Sequence, residues 1–223
     1  MTAAPALVAA AISIGSIHTL APDHWVPFAA LGRAQRWSAR RTALITAACG
    51  LGHVTGSVAL GLLSVFLGVE LLQRFGQRLE SASGLLLIGF GVAYAVWGLR
   101  RSARAHRHAR GHHHGHPHTD GHSHGLGHGP SSLSPRALFL LFSADPCVAV
   151  IPLMFASAPL GWPTTLSVIV AYEVATIGTM VALVLPARAA ATVARGAWMD
   201  RHGDALAGAV VALVGMAVLG LGI

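Results

Sequence analysis

Six apolar stretches, each close to the roughly 20 helical residues that a hydrocarbon core about 30 Å thick requires, account for most of this 223-residue chain. They cover 3–31, 42–69, 83–99, 137–160, 164–186 and 204–223. In lipid a spanning segment must satisfy its own backbone hydrogen bonds, as a helix or as a strand of a closed barrel. No ten-residue alternating strand pattern occurs, so the expectation is an all-α integral membrane protein with six transmembrane helices. Only 10% of the residues are charged, whereas a water-soluble domain carries about 25%.

The basic residues are all arginine, and with a net charge of +7 they would point to nucleic acid if their positions were ignored. They sit in the gaps between apolar stretches, so no nucleic-acid partner is expected. Arg33, Arg36, Arg40 and Arg41 fill the first gap. Arg100, Arg101, Arg104, Arg107, Arg110 and Arg136 flank the third, and Arg188, Arg195 and Arg201 the fifth. The second holds Arg74 and Arg78 against Glu70 and Glu80, and the fourth (157–162) holds no charge. Positive charge accumulates on the cytoplasmic side, which predicts a multi-pass protein of the cell (inner) membrane with both termini outside. Trp37, Trp97, Trp162 and Trp198 fall near predicted helix ends, where an interfacial aromatic belt belongs.

Cys49 and Cys147 lie far apart in apolar runs, which leaves no disulfide framework and no CxxC motif. The first 20 residues lack the basic leader of a secretory signal and are read as mature structure.

The third gap contains His106, His108, His112, His113, His114, His116, His118, His122, His124 and His128, interleaved with glycine and Pro117. Such composition cannot bury a core, so a disordered cytoplasmic loop is expected over 102–134. It is either an accessory soft site for imidazole-loving metals or a solubilising linker. The loop separates two three-helix halves, 1–101 and 135–223. With an odd number of spans each, related halves would be inverted in the membrane, a 3+3 repeat. LAPDHWVPF in the first stretch echoes FSADPCVAVIP in the fourth, and GHVTGSVALGLL in the second echoes ATIGTMVALVL in the fifth.

Ionisable groups at membrane depth cost about 2.5–3.5 kcal/mol each on insertion scales, so each needs a reason to be there. The set is His18, Asp23, His24, His53, Asp145 and Glu173. Pro22 lacks an amide hydrogen and pushes Ala21 out of helical geometry, which predicts a helix break just before Asp23. A break can bring His18, Asp23 and His24 to one point, whereas in a straight helix His18 and His24 face apart. Two imidazoles and a carboxylate suit a divalent first-row metal.

His53 sits between Gly52 and Gly56, a GxxxG that admits a close helix neighbour; its alternative role is a lone interhelical hydrogen bond. Asp145, beside Pro146, marks a second expected break and is either a site residue or a helix cap. Glu173, Thr176 and Met180 form a polar stripe at helical spacing. Glu173 is a proton-relay candidate or a carboxyl held neutral.

The run HTLAPDH, with His18, Asp23 and His24 as H-x-x-x-x-D-H, resembles the signature of the nickel/cobalt permease superfamily. GLGHVTGSV around His53 is similar to that family's second metal helix. The six-span layout with a central His-rich loop resembles the smaller NicO-type efflux or urease-associated branch. The resemblance implies a transporter, not an enzyme and without a resident cofactor, that binds Ni2+ or Co2+ through His18, Asp23, His24 and His53. It also implies a cytoplasmic metallochaperone or urease-type metalloenzyme system as partner, beside the lipid bilayer and the ion. The acidic motif LGxDTATE of the larger permeases has only a distant counterpart in AYEVATIGT.

Two other classes compete. The His18/Asp23 spacing also fits the general-base pair of a membrane acyltransferase, and a metal-storage or sensor protein could rely on the loop alone. Metal transport accounts for all of the membrane-depth residues and is the expected function.

Overall fold

The computed structural model describes residues 3–67, 69–110, 135–145, 149–193 and 197–221. They form helices α1 (Ala3–His18), α2 (Pro22–Ala34), α3 (Ala39–Leu67), α4 (Val69–Arg110), α5 (Pro135–Ser143), α6 (Val150–Ser157), α7 (Trp162–Val193) and α8 (Ala197–Leu221), with a 3-10 turn at Ala158–Leu160. No strand occurs among the described residues, as an apolar chain that satisfies its backbone locally requires. Four helices contain stretches long and apolar enough to cross a membrane: Ala39–Leu63, Gly84–Arg104, Trp162–Ala191 and His202–Gly220. The α1–α2 pair makes a fifth if its two limbs, bent by 53°, are taken as one broken span.

One of the six expected stretches and one of the gaps take a different form. The fourth, 137–160, is not one helix. The nine residues of α5 reach about 13 Å and Val150–Leu160 about 16 Å at 1.5 Å per residue, each short of a 30 Å core. The second gap is not a loop either. Its arginines and glutamates lie on α4, whose 42 residues run about 63 Å, twice a hydrocarbon core, and α4 continues through Ser102 to Arg110. Gly161, at φ +92°, makes the tight turn from the 3-10 segment into α7, a conformation glycine adopts without steric cost.

Without a hydrophobic drive between helices in lipid, close packing and small residues must hold a bundle together. The tightest pair is α4 with α8, which run antiparallel. Gly84, Gly91 and Gly98 recur every seven residues on α4, opposite Gly208, Gly215, Ala205 and Ala212 on α8. A Cβ on Gly91 would lie 2.6 Å from the Gly208 carbonyl, and one on Gly208 would lie 2.6 Å from the Gly91 carbonyl. Helix α7 packs on α1, α2 and α3, while α5 and α6 pack on α3. One apolar cluster, around Val54, Ile151, Met154 and Tyr172, joins α1, α3, α6 and α7. A second, around Phe28, Leu31, Tyr94, Phe142 and Val184, joins α2, α4, α5 and α7.

The ends of α2, α7 and the α4–α8 pair meet at one end of the bundle. Arg33 Nε donates to the Ala191 carbonyl, and Arg188 Nη2 to the Trp37 carbonyl. Tyr94 Oη donates to Asp204 Oδ1 at 2.8 Å, and Arg101 Nη1 pairs with Asp204 Oδ2 at 3.2 Å. The first, third and fifth gaps therefore share an end. Trp37, expected in an interfacial belt, is instead buried there and donates to Gln35 Oε1, while Arg188 donates to its carbonyl. Trp162, by contrast, is 62% exposed.

Candidate metal centre

The site begins with Pro22. Proline disfavours helical ψ in the residue before it, and Ala21 sits at φ −56°, ψ 131° with Pro22 opening α2. The last carbonyls of α1 are taken up locally: Thr19 N bonds Gly15 O, Leu20 N bonds Ile17 O, and Ala21 N bonds His18 O. The Thr19 hydroxyl donates to Gly15 O at 2.6 Å as well. Irregular chain at membrane depth is tolerated where its backbone groups find such local partners.

The elbow turns His18, the last residue of α1, towards His24 in the first turn of α2. Their ring centroids are 4.5 Å apart, edge to face. His53 approaches from α3 with its ring 5.2 Å from that of His24. One ring nitrogen of each residue lies within 4.8 Å of the other two. The Nε2 atoms of His18, His24 and His53 are all buried with no hydrogen-bond partner. A buried polar atom left unpartnered costs about 1–3 kcal/mol, so three of them on three neighbouring rings make an unfavourable apolar core and a candidate ligand set.

The other ring nitrogens say which lone pairs are free. His24 Nδ1 lies 2.9 Å from Asp23 Oδ1, and His53 Nδ1 lies 3.3 Å from the Phe142 carbonyl oxygen. An ionised carboxylate and a carbonyl can only accept, so each Nδ1 carries the hydrogen and each Nε2 presents a lone pair. This is the arrangement of metal-ligating histidines, whose second nitrogen is held by a carboxylate or carbonyl. Asp23, expected beside the histidines as a ligand, has its Oδ1 on His24 Nδ1 and is not one of the three mutually close groups. The same bond gives the Asp23 carboxylate to His24 where the acyltransferase pattern pairs it with His18. The lone interhelical hydrogen bond considered for His53 does exist, through Nδ1, and leaves Nε2 unspent.

The GxxxG strip finds its close neighbour in α5: a Cβ on Gly56 would lie 3.0 Å from Ser143 O, and one on Gly52 would collide with Ser143 Oγ. On another side, Gly15 of α1 and Gly50 of α3, each three residues before a site histidine, meet α7 at Thr176 Oγ1 and Met180 Sδ, both at 3.1 Å from the glycine Cβ position. Thr176 and Met180 are therefore buried interior residues a helical turn from the imidazoles, and Glu173 is half-buried beside them. Asp145 follows α5 and is half-buried, its amide 3.4 Å from Phe142 O. The cap of α6 is Ala149, without a side-chain hydrogen bond. Neither Asp145 nor Glu173 is in the imidazole cluster. Cys147 and the loop histidines from His112 to His128 lie outside the described residues, as do the side chains of His106 and His108 on the last turns of α4.

Three imidazole nitrogens suit late first-row divalent ions, while Mg2+ and Ca2+ call for six or more oxygens. Three ligands also leave coordination positions open, as sites that exchange ligands need. No protein-family model, curated protein or solved structure matches the chain.

Proposed function

We propose that this protein carries a divalent transition-metal ion, Ni2+ or Co2+, across the cell membrane through the site formed by His18, His24 and His53. The observation that carries the reading is a cluster of three buried imidazoles at a proline elbow in an apolar bundle, one ring nitrogen of each within 4.8 Å of the others and every Nε2 unpartnered. An arriving ion exchanges waters for the three imidazoles, with Asp23 and the Phe142 carbonyl holding two of the rings. Imidazoles bind metal only when neutral, so protons compete with the ion for the three rings. Glu173 on α7 and Asp145 after α5 are the carboxylates that take up or release a proton as the ion's charge passes. The His-rich segment gathers metal at the cytoplasmic mouth, next to a metallochaperone or a urease-type client.

In this reading the chain crosses the membrane six times as two inverted halves, with α5 and α6 together forming the fourth crossing. Helix pairing supports it. The broken first segment packs on α7 and the broken fourth on α3; α3 packs on α7, and α4 on α8. Exchanging the first three segments for the last three reproduces these pairs, as an inverted repeat requires, although the packing of α2 on α8 has no counterpart between α5 or α6 and α4 among the described residues. Arginine placement puts both termini outside.

Cells expressing the protein should differ from empty cells in nickel or cobalt content, and His18→Ala, His24→Ala or His53→Ala should erase the difference while the protein still inserts. Normal transport by two of the three variants overturns the site. Cysteines introduced for Gly76 and Ala158 should react with an impermeant thiol reagent outside intact cells, and one for Ser102 should not; labelling at Ser102 reverses the topology.

A further inference from the structure

We infer that the carboxyl end of α5 is a positioning element for the metal site: seated on the Gly52/Gly56 strip of α3, it keeps the Phe142 carbonyl on His53 Nδ1 and so aims Nε2 at the ion. The inference rests on the metal site proposed above and assigns a role to backbone that carries no ligand.

The last carbonyls of a helix have no intrahelical partner, and α5 ends at Ser143, so the Phe142 carbonyl is available. It accepts from Asp145 N at 3.4 Å and from His53 Nδ1 at 3.3 Å, one donor for each lone pair. The second contact exists only because α5 comes close. A Cβ on Gly52 would strike Ser143 Oγ and lie 2.9 Å from Phe139 Cε2, and one on Gly56 would lie 3.0 Å from Ser143 O. A side chain at either position crowds α5, its Ser143 and Phe139 side chains at Gly52 and its backbone at Gly56, and so loosens a bond already near the outer limit for N–H···O. The Phe142 ring, 4.4 Å from that of Phe28 on α2, ties the same α5 turn to the helix that carries His24. One turn of the second half thus touches both α2 and α3, the helices that supply His24 and His53.

Partners behind a ligating histidine are worth about 10- to 100-fold in metal affinity. The test is a Co2+ titration of the purified full-length protein in detergent, read from the visible ligand-field bands of bound Co2+. Gly52→Ala should weaken Co2+ binding by about 10-fold or more and alter the band positions, since His53 loses its orientation. Gly56→Ala should do the same to a smaller extent, and it carries the test if Gly52→Ala does not fold. Adding Ser143→Gly to Gly52→Ala removes the colliding hydroxyl and should restore most of the affinity.

Gly50→Ala is the control for general strain, because its Cβ would crowd α7 at Ile177 Cγ1 and Met180 Sδ, both 3.1 Å away, and not α5. An affinity unchanged in both Gly52→Ala and Gly56→Ala, an equal loss in Gly50→Ala, or no recovery with Ser143→Gly overturns the positioning role. His53→Ala separates the two levels. If it binds Co2+ like the unaltered protein, the metal-site reading fails and the positioning role with it. If it loses binding while Gly52→Ala keeps it, only the positioning role falls.

Discussion

The chain contains two breaks at which an aspartate adjoins a proline, and they deliver different chemistry. At the first, proline precedes aspartate. Helix α2 restarts at Pro22 only four residues after α1 ends, and the short elbow turns the side chains of His18 and His24 inward, with the Asp23 carboxylate behind them. At the second, Asp145 precedes proline, the described helices are separated by 144–149, and what reaches the site is the main-chain oxygen of Phe142. A proline that starts a helix costs no internal hydrogen bond and keeps its neighbours in register. A helix that merely stops exposes carbonyls. The first break therefore makes ligands and the second makes a support for one.

If that division is right, damage to the first break should outweigh damage to the second. Replacing any one of the three histidines by alanine should reduce Co2+ affinity by at least about 100-fold, beyond the range of a supporting contact, in equilibrium dialysis of the purified protein. Pro22→Ala restores the amide and lets the chain continue as helix, which should swing His18 away from His24. A loss between that of a ligand and that of a support is expected, with a gain of helical signal in far-ultraviolet circular dichroism. Asp23→Asn keeps an oxygen acceptor but removes the charge, so a loss of about 10-fold is expected from calorimetric titration. A loss as large as that of a histidine variant would make Asp23 a ligand after all. Asp145→Asn should change equilibrium affinity by less than about 2-fold, because the carbonyl that matters belongs to Phe142. All these affinities should fall as pH is lowered, since protons compete with the ion for the same lone pairs.

How much of this was legible beforehand follows the same divide. Pro22 and the ionisable residues at membrane depth are unusual in apolar sequence, and reasoning from them leads to the elbow and to His18, His24 and His53. The role of Asp23 is less legible, because sequence places a carboxylate near a ring without saying which nitrogen it faces. The Phe142 carbonyl leaves no trace at all: every residue has one, and only the GxxxG around His53 indicated that some backbone would come near. The shortness of α5 and α6 was masked by an apolar run whose hydropathy passes straight through its break. The pairing of Tyr94 with Asp204, 110 positions apart, had no local signal. The seven-residue spacing of Gly84, Gly91 and Gly98 was there to be read, as the mark of a close helix partner along α4.

That glycine spacing bears on how freely the sequence can vary. In an ordinary protein interior a larger residue on one element can be matched by a smaller one opposite, because cores tolerate substitution when total volume is kept. Between α4 and α8 the facing atoms near Gly91 and Gly208 are backbone, and backbone has no smaller version to substitute. Over the 14 steps from Gly84 to Gly98, about 21 Å of helix, a methyl group added at Gly91, Gly98, Gly208 or Gly215 must be met by separating the two axes, so this seam has few acceptable alternatives.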